Sequence, residues 1–147
     1  MSTNSHQATD LSVWQSLRDN IRETEVWLRN QVRDFLNEFD VTRQQLSILQ
    51  VLKAANNEPL STKEIQKLMV DKKSDTSRLV DRLIEKDLVR KRKDPEDGRL
   101  VQVFIKYEGL RLLAQIEDRM EELDERFENL LEDEAEELNL LLGKLRV

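Results

Sequence analysis

Cysteine is absent from the 147 residues, and the chain holds only 3 glycines, 2 prolines and one histidine. The missing cysteine excludes disulfides, thiolate metal sites, cysteine nucleophiles and oxidant sensing by thiol chemistry. His6 stands in the polar leader "MSTNSHQAT", where it reads as part of a disordered end rather than as a zinc ligand or general base. No metal, cofactor-binding or catalytic residues are therefore expected. There is no glycine-rich phosphate loop, and the carboxylates show no spacing that singles out an acid and base pair, so the enzymatic reading has almost nothing to stand on. No apolar run approaches the roughly 18 residues of a membrane-spanning helix, and the leader lacks a signal peptide's apolar core. The expectation is a cytoplasmic protein with no membrane partner.

What the chain does have is charge, at 37% of residues, with a net value of -6. Taken alone, that sign argues against a nucleic-acid partner; its distribution reverses the argument. Between Ser61 and Lys106 there are 13 Lys and Arg against 9 Asp and Glu, and within Lys72 to Lys93 there are 9 against 4. A basic centre between acidic arms suits a protein that meets one polyanion on one face. The scarcity of glycine and proline favours long helices and few loops. The length fits one domain, able to bury roughly 70% of its unfolded surface.

Leu11, Trp14, Leu17, Ile21, Leu28, Val32, Phe35 and Phe39 recur at three-, four- and seven-residue steps, which predicts one amphipathic helix over about 10 to 38. Two capping boxes come next, Thr42 with Gln45 and Ser61 with Glu64, each beside a hydrophobic staple: Val41 with Leu46, then Leu60 with Ile65. "NNEP" punctuates them, so two short helices meet at a sharp turn, as in a helix-turn-helix. A third short helix is expected in "DKKSDTSRLVDRLIEKD", capped by Asp71 and burying Leu79, Val80, Leu83 and Ile84. Its outer face would show Lys72, Lys73, Ser74, Asp75, Ser77, Arg78 and Arg82, the kinds of group that reach bases and phosphates from a major groove. Any surface helix is polar outside, so this face gains weight only from the segment next to it in the chain.

"LVRKRK" and "RLVQVFIK" are strand-capable, and "DPEDG" between them offers Pro95 to start a turn and Gly98 for a positive φ. A hairpin directly after a candidate recognition helix is a wing. Beyond it, Leu113, Ile116, Met120, Leu123, Phe127 and Leu130 form a heptad seam. Glu132 to Leu145 opens on acidic residues and carries Leu138, Leu141, Leu142 and Leu145 on one face. These faces either pack within one subunit or meet a second copy.

"SRLVDRLIEKDLVRKRKDPEDGRLVQV" and "YEGLRLL" resemble the recognition-helix exit, wing and dimerisation-helix start of the bacterial MarR-family transcriptional regulators. The likeness runs from about Thr42 to Leu113 at motif level and over the whole chain in element order. It implies a mostly α fold with a small β-hairpin: a winged helix-turn-helix domain flanked by long N- and C-terminal dimerisation helices. The boundaries expected are a leader over 1–9 and one domain over 10–147. Within it, 10–40 and 106–147 are dimerisation helices and 42–105 is the winged region, with the wing over 88–105. The resemblance implies a major-groove helix holding Lys72, Lys73, Ser74, Asp75, Thr76, Ser77, Arg78 and Arg82. It implies a minor-groove wing holding Arg90, Arg92, Lys93, Asp97 and Arg99, with a salt bridge from Asp97 steadying the wing. An arginine on a protruding hairpin independently suits a narrow, A·T-rich minor groove.

The implied function is a sequence-specific regulator, expected to repress, that binds a pseudo-palindromic double-stranded DNA operator as a homodimer. Leu11, Trp14, Leu17, Met120, Leu123, Phe127, Leu138, Leu141, Leu142 and Leu145 are the expected interface, and a small aromatic effector is a candidate partner. The rival reading is a winged-helix protein-interaction module without specific DNA binding. Three residues depart from the family pattern: Gly98 replaces a second arginine, which predicts a looser wing; Asp87 replaces a glycine, which tolerates the left-handed conformation better; and Lys106 replaces a threonine cap, which predicts a frayed start to the dimerisation helix.

Overall fold

The computed structural model describes residues 12–56 and 58–147; the expected leader, His6 and Leu11 lie outside the described residues. Helix α1 spans Val13–Leu36, with Ser12 as its N-cap accepting from the Gln15 N–H at 3.1 Å. A 3-10 turn over Asn37–Phe39 ends at Asp40, whose φ of 54° turns the chain out of the helix. α2 (Arg43–Ala54) and α3 (Thr62–Leu68) begin at complete capping boxes, Thr42 with Gln45 and Ser61 with Glu64. Each box satisfies two of the backbone groups that a helix start leaves unpaired, which is why both helices begin where they do. Val41 and Leu46 are buried as a staple.

α4 (Thr76–Glu85) is the helix expected to enter the major groove, and its start corrects the sequence reading. Asp75, not Asp71, is the N-cap, accepting from the Arg78 N–H at 3.2 Å. Asp71 instead holds the preceding loop by accepting from the Lys73 N–H at 3.0 Å, so Lys72, Lys73 and Ser74 precede the helix. The inner face of α4 is apolar as expected, with Val80 and Leu83 buried and Leu79 and Ile84 packed against the core.

The strands are β1 (Leu60–Ser61), β2 (Val89–Lys93) and β3 (Val101–Ile105), in the antiparallel order β1-β3-β2. Val89 pairs with Ile105, Lys93 with Val101, and Leu60 with Val103. The two-residue β1 has no strand signature of its own; its residues also serve as staple and cap. Gly98 does not take a positive φ. The tip is held by carboxylates instead: Asp94 accepts from the Glu96 and Asp97 N–H groups at 2.8 and 3.3 Å, and Asp97 from the Arg99 N–H at 3.1 Å. Side-chain acceptors of this kind imitate backbone turns and relieve glycine of the task.

Three helices complete the chain: α5 (Tyr107–Asp118), α6 (Glu121–Asp124) and, after a 3-10 turn over Glu125–Phe127, α7 (Glu132–Leu145). The heptad seam is therefore broken between Asp118 and Glu121 and again before Glu132. No proline or glycine marks the first break. Glu117 with Glu121, Asp118 with Glu122, and Glu121 with Glu125 would be like charges at i,i+4 in a continuous helix, and that spacing opposes it. Leu113 and Ile116 are fully buried with Ile48, Leu49, Leu52, Ile65 and Leu83. Met120 and Leu123, expected at a dimer interface, pack against this same core inside one subunit, and Phe127 meets Trp27 edge to face at 5.3 Å. α7 buries none of its residues.

Candidate nucleic-acid interface

The candidate interface is built from the start of α4, the loop before it and the wing. On α4, Ser77, Arg78, Asp81, Arg82 and Glu85 are exposed while Thr76, Val80 and Leu83 point inward. Asp75 caps the helix and stands 3.9 Å from the Arg78 guanidinium, which leaves both side chains largely in solvent. Ser74, expected on the outward face, and Thr76, implied by the resemblance to enter the groove, are both buried. Ser74 accepts from the Gln44 amide at 3.4 Å, a tie between α2 and the loop that no local pattern reveals. The loop is further held by the Gln66 amide on the Lys72 carbonyl at 3.1 Å and by the Lys72 ammonium on the Lys67 carbonyl.

Alternation along β2 divides the expected wing residues. Arg90 and Arg92 share one face, their guanidinium carbons 4.9 and 4.5 Å from the centre of the Phe104 ring, and Arg92 also donates to Gln102 at 3.1 Å. Lys91, on the other face, pairs with Asp81 of α4 at 3.0 Å and ties the hairpin to α4. Only Lys93, Asp97 and Arg99 stand at or next to the tip. Arg99 is 95% exposed, 3.9 Å from the Asp97 carboxylate, so the implied salt bridge is loose and the tip's shape rests on the backbone N–H groups that Asp94 and Asp97 accept. An exposed pair of this kind adds little stability. Its guanidinium is free to engage something else.

Two of the departures from the family pattern turn out to be partners. Asp87 adopts φ 62° at the exit of α4, and its carboxylate pairs with the Lys106 ammonium at the start of α5. That hydrogen bond raises the Lys106 pKa above the ordinary lysine value, with Asp87 and Glu108 adding through charge. Lys106 supplies no side-chain cap, yet its N–H donates to the Leu88 carbonyl at 3.0 Å, so the expected fraying gives way to a start fixed by the exit of α4. Gly109 belongs to the same joint. A Cβ there would lie 2.4 Å from the Leu88 carbonyl oxygen, so only glycine lets α5 approach so closely.

Two further contacts that sequence reasoning missed orient the domain. The Lys86 ammonium reaches the Gln45 amide oxygen at 3.2 Å and the Asp40 carbonyl, joining the end of α4 to the start of α2. Arg119 pairs with Glu38 at 2.7 Å and with Glu122 at 2.9 Å, and these bonds raise the arginine's pKa and lower that of Glu122. The Lys86 and Glu38 contacts link residues more than 40 positions apart, beyond any local sequence signal.

Among the described residues no group of His, Cys, Asp and Glu is placed to hold a metal ion, and no helix is long and apolar enough to cross a membrane. Arg29, Arg33 and Arg43 line a cavity of about 470 Å³ between α1 and α2, bounded also by Asn37 and Asp71.

Residues 39–100 match the model of the MarR family. Over 131 residues, 88% of either chain, the sequence is 28% identical to the uncharacterised HTH-type transcriptional regulator YsmB of Bacillus subtilis (strain 168). A mutant MarR from E. coli complexed with operator DNA superimposes with a TM-score of 0.76 at 24% identity, covering 88% of this chain and 93% of that one. The organohalide-sensing transcriptional regulator RdhR, in its 2,4-dichlorophenol-bound form, gives a TM-score of 0.85 at 17% identity over 99% of this chain and 86% of its own.

Proposed function

We propose that the chain is a MarR-family protein: a cytoplasmic, sequence-specific regulator of transcription that binds a pseudo-palindromic duplex as a homodimer and represses. The observation that carries this reading is the pairing of two protrusions on one domain. The exposed Ser77, Arg78 and Arg82 of α4 suit a major groove, and the Arg99 tip, tied back to α4 by Lys91 and Asp81, suits the adjacent minor groove. Lys72, Lys73 and Lys93 flank them and supply contacts to the phosphate backbone. Arg90 and Arg92, stacked on Phe104, act as the wing's stiffening rather than as readers. The two-fold arrangement is supported by the apolar side chains left exposed on α1 and α7: Trp14 at 69% and Leu17, then Leu138, Leu141 and Leu145. It would set two recognition helices about one DNA turn, roughly 34 Å, apart.

Effector control belongs to the same proposal. The arginine-lined cavity joins a dimerisation helix to the start of α2, which is where an anionic aromatic molecule would shift the spacing of the winged domains. Such a molecule changes DNA affinity only through its own preference for one spacing.

The test is a fluorescence-anisotropy titration against DNA from upstream of the protein's own gene, beside a scrambled duplex, at two salt concentrations. Preference of roughly a thousandfold for one site is expected. Arg99→Ala should weaken binding to that site about tenfold and flatten its salt dependence. Equal, weak binding to every duplex tried, including a randomised pool, would favour the protein-interaction module.

A further inference from the structure

α4 opens with a polar group that nothing among the described residues satisfies. Thr76 is 5% exposed, and its Oγ1 is shut off from solvent with no hydrogen-bond partner among the described residues. An unpaired buried hydroxyl costs stability that an isosteric methyl would not. Thr76 lines a cleft of about 210 Å³, with Thr62, Lys63 and Gln66 of α3 on one side and Ser74 and Ser77 on the other. Two of these groups are already engaged in part: the Ser74 oxygen accepts from the Gln44 amide at 3.4 Å while keeping its own proton, and the Gln66 amide donates to the Lys72 carbonyl at 3.1 Å. Asp75 stands at the rim, but its carboxylate is turned to the Arg78 N–H at 3.2 Å and to the Arg78 guanidinium at 3.9 Å. What remains to meet a ligand is the Lys63 ammonium, the hydroxyls of Thr62 and Ser77 and, once its rotamer changes, of Thr76, and the N-terminal end of the ten-residue α4. Donors of this kind, at the positive end of a helix, select an anion over a cation.

We propose that this cleft seats one phosphate of the DNA backbone and that Thr76 is held unsatisfied in the free protein for that contact. The inference rests on the DNA-binding reading above and deepens it. The Lys63 ammonium and the Ser77 hydroxyl hold the phosphate oxygens, and Thr76 turns its hydroxyl into the cleft by one step of χ1, a torsion for which helical threonine uses two rotamers. The contact fixes how deep α4 sits in the groove and carries no sequence information. Sequence reasoning placed Ser74 and Thr76 among base-reading groups and passed over Thr62 and Lys63 altogether.

The test uses full-length Thr76→Val, Thr76→Ser and Lys63→Gln, each titrated with a duplex selected from a randomised pool and with its scrambled control over a range of salt. Thr76→Val should bind both duplexes about tenfold more weakly, while unfolding at the same or a higher temperature than the unaltered protein. Thr76→Ser should bind within about threefold of it, and Lys63→Gln should lower the salt slope by about one. Unchanged affinity in Thr76→Val, a loss confined to the selected duplex, or a lowered melting temperature would each overturn the seat. Inorganic phosphate that raises the melting temperature of the unaltered protein but not of Thr76→Val, with DNA binding equal in both, would assign the cleft to a free anion instead. If the unaltered protein binds neither duplex, the DNA-binding reading falls first and the seat with it.

Discussion

α2 and α7 follow the same helical periodicity and differ in what becomes of their apolar faces. α2 buries Leu46, Ile48, Leu49 and Leu52 against α5 and the inner sides of α3 and α4, while α7 leaves Leu138, Leu141 and Leu145 open and buries nothing. The winged region holds the core of a subunit; the terminal helices hold a surface without a partner in it. Leu140 of α7, at 76% exposed, and Val13 of α1 extend that surface beyond the residues that periodicity singles out. A 3.6-residue period states that a face will be covered and is silent about whether the cover comes from the same chain.

Replacing both Leu138 and Leu141 with glutamate sharpens the contrast most. If a second copy covers these side chains, four carboxylates enter one interface, and association should weaken by at least a hundredfold, about 3 kcal/mol or more. Sedimentation at micromolar concentration should then show monomer, with far-ultraviolet circular dichroism retaining the helix content. A dimer that survives both changes would place the interface elsewhere. The mirror experiment is Leu83→Ala, on a side chain with no exposure. It should cost about 3 kcal/mol in denaturant unfolding, the usual loss for a buried leucine. A loss under about 1 kcal/mol would mean that the winged core is loosely packed.

Short-range chemistry makes much of the winged region legible from the sequence. Thr42 with Gln45 and Ser61 with Glu64 act within three residues, and strands flanking "DPEDG" announce themselves by alternation. The failures share a physical cause. Asp71 and Asp75 are equally good caps by type, and the choice between them is made by the burial of Ser74 under Gln44, 30 residues away. Gly98 is available for a positive φ that it does not adopt, and carboxylates four residues earlier and one residue earlier hold the turn. Met120 and Leu123 kept heptad spacing yet went to the subunit's own core, because α1 folds back over α6. The residues expected to face DNA are assigned by pattern; which of those on α4 point outward needed the true start of the helix.

The smallest expected effect tests whether α4 and α5 meet through a compensated joint. Asp87 holds φ 62°, a conformation glycine adopts more readily, so Asp87→Gly should relieve about 1 kcal/mol of backbone strain. It also removes the carboxylate that raises the Lys106 pKa. The sign of that second contribution fixes its pH range. Because the folded-state pKa is raised, the pairing stabilises fully below the ordinary lysine value of 10.5 and is lost as pH rises through the folded value. The difference in melting temperature between Asp87→Gly and the unaltered protein should therefore shift toward the variant as alkaline titration passes that value. In a Lys106→Thr background, where the pair is already gone, Asp87→Gly should stabilise by the strain relief alone, with no alkaline shift. A stability difference that is flat with pH in both backgrounds would mean that Asp87 and Lys106 are neighbours without being coupled. The joint between α4 and α5 would then rest on the Leu88 carbonyl and Gly109 alone.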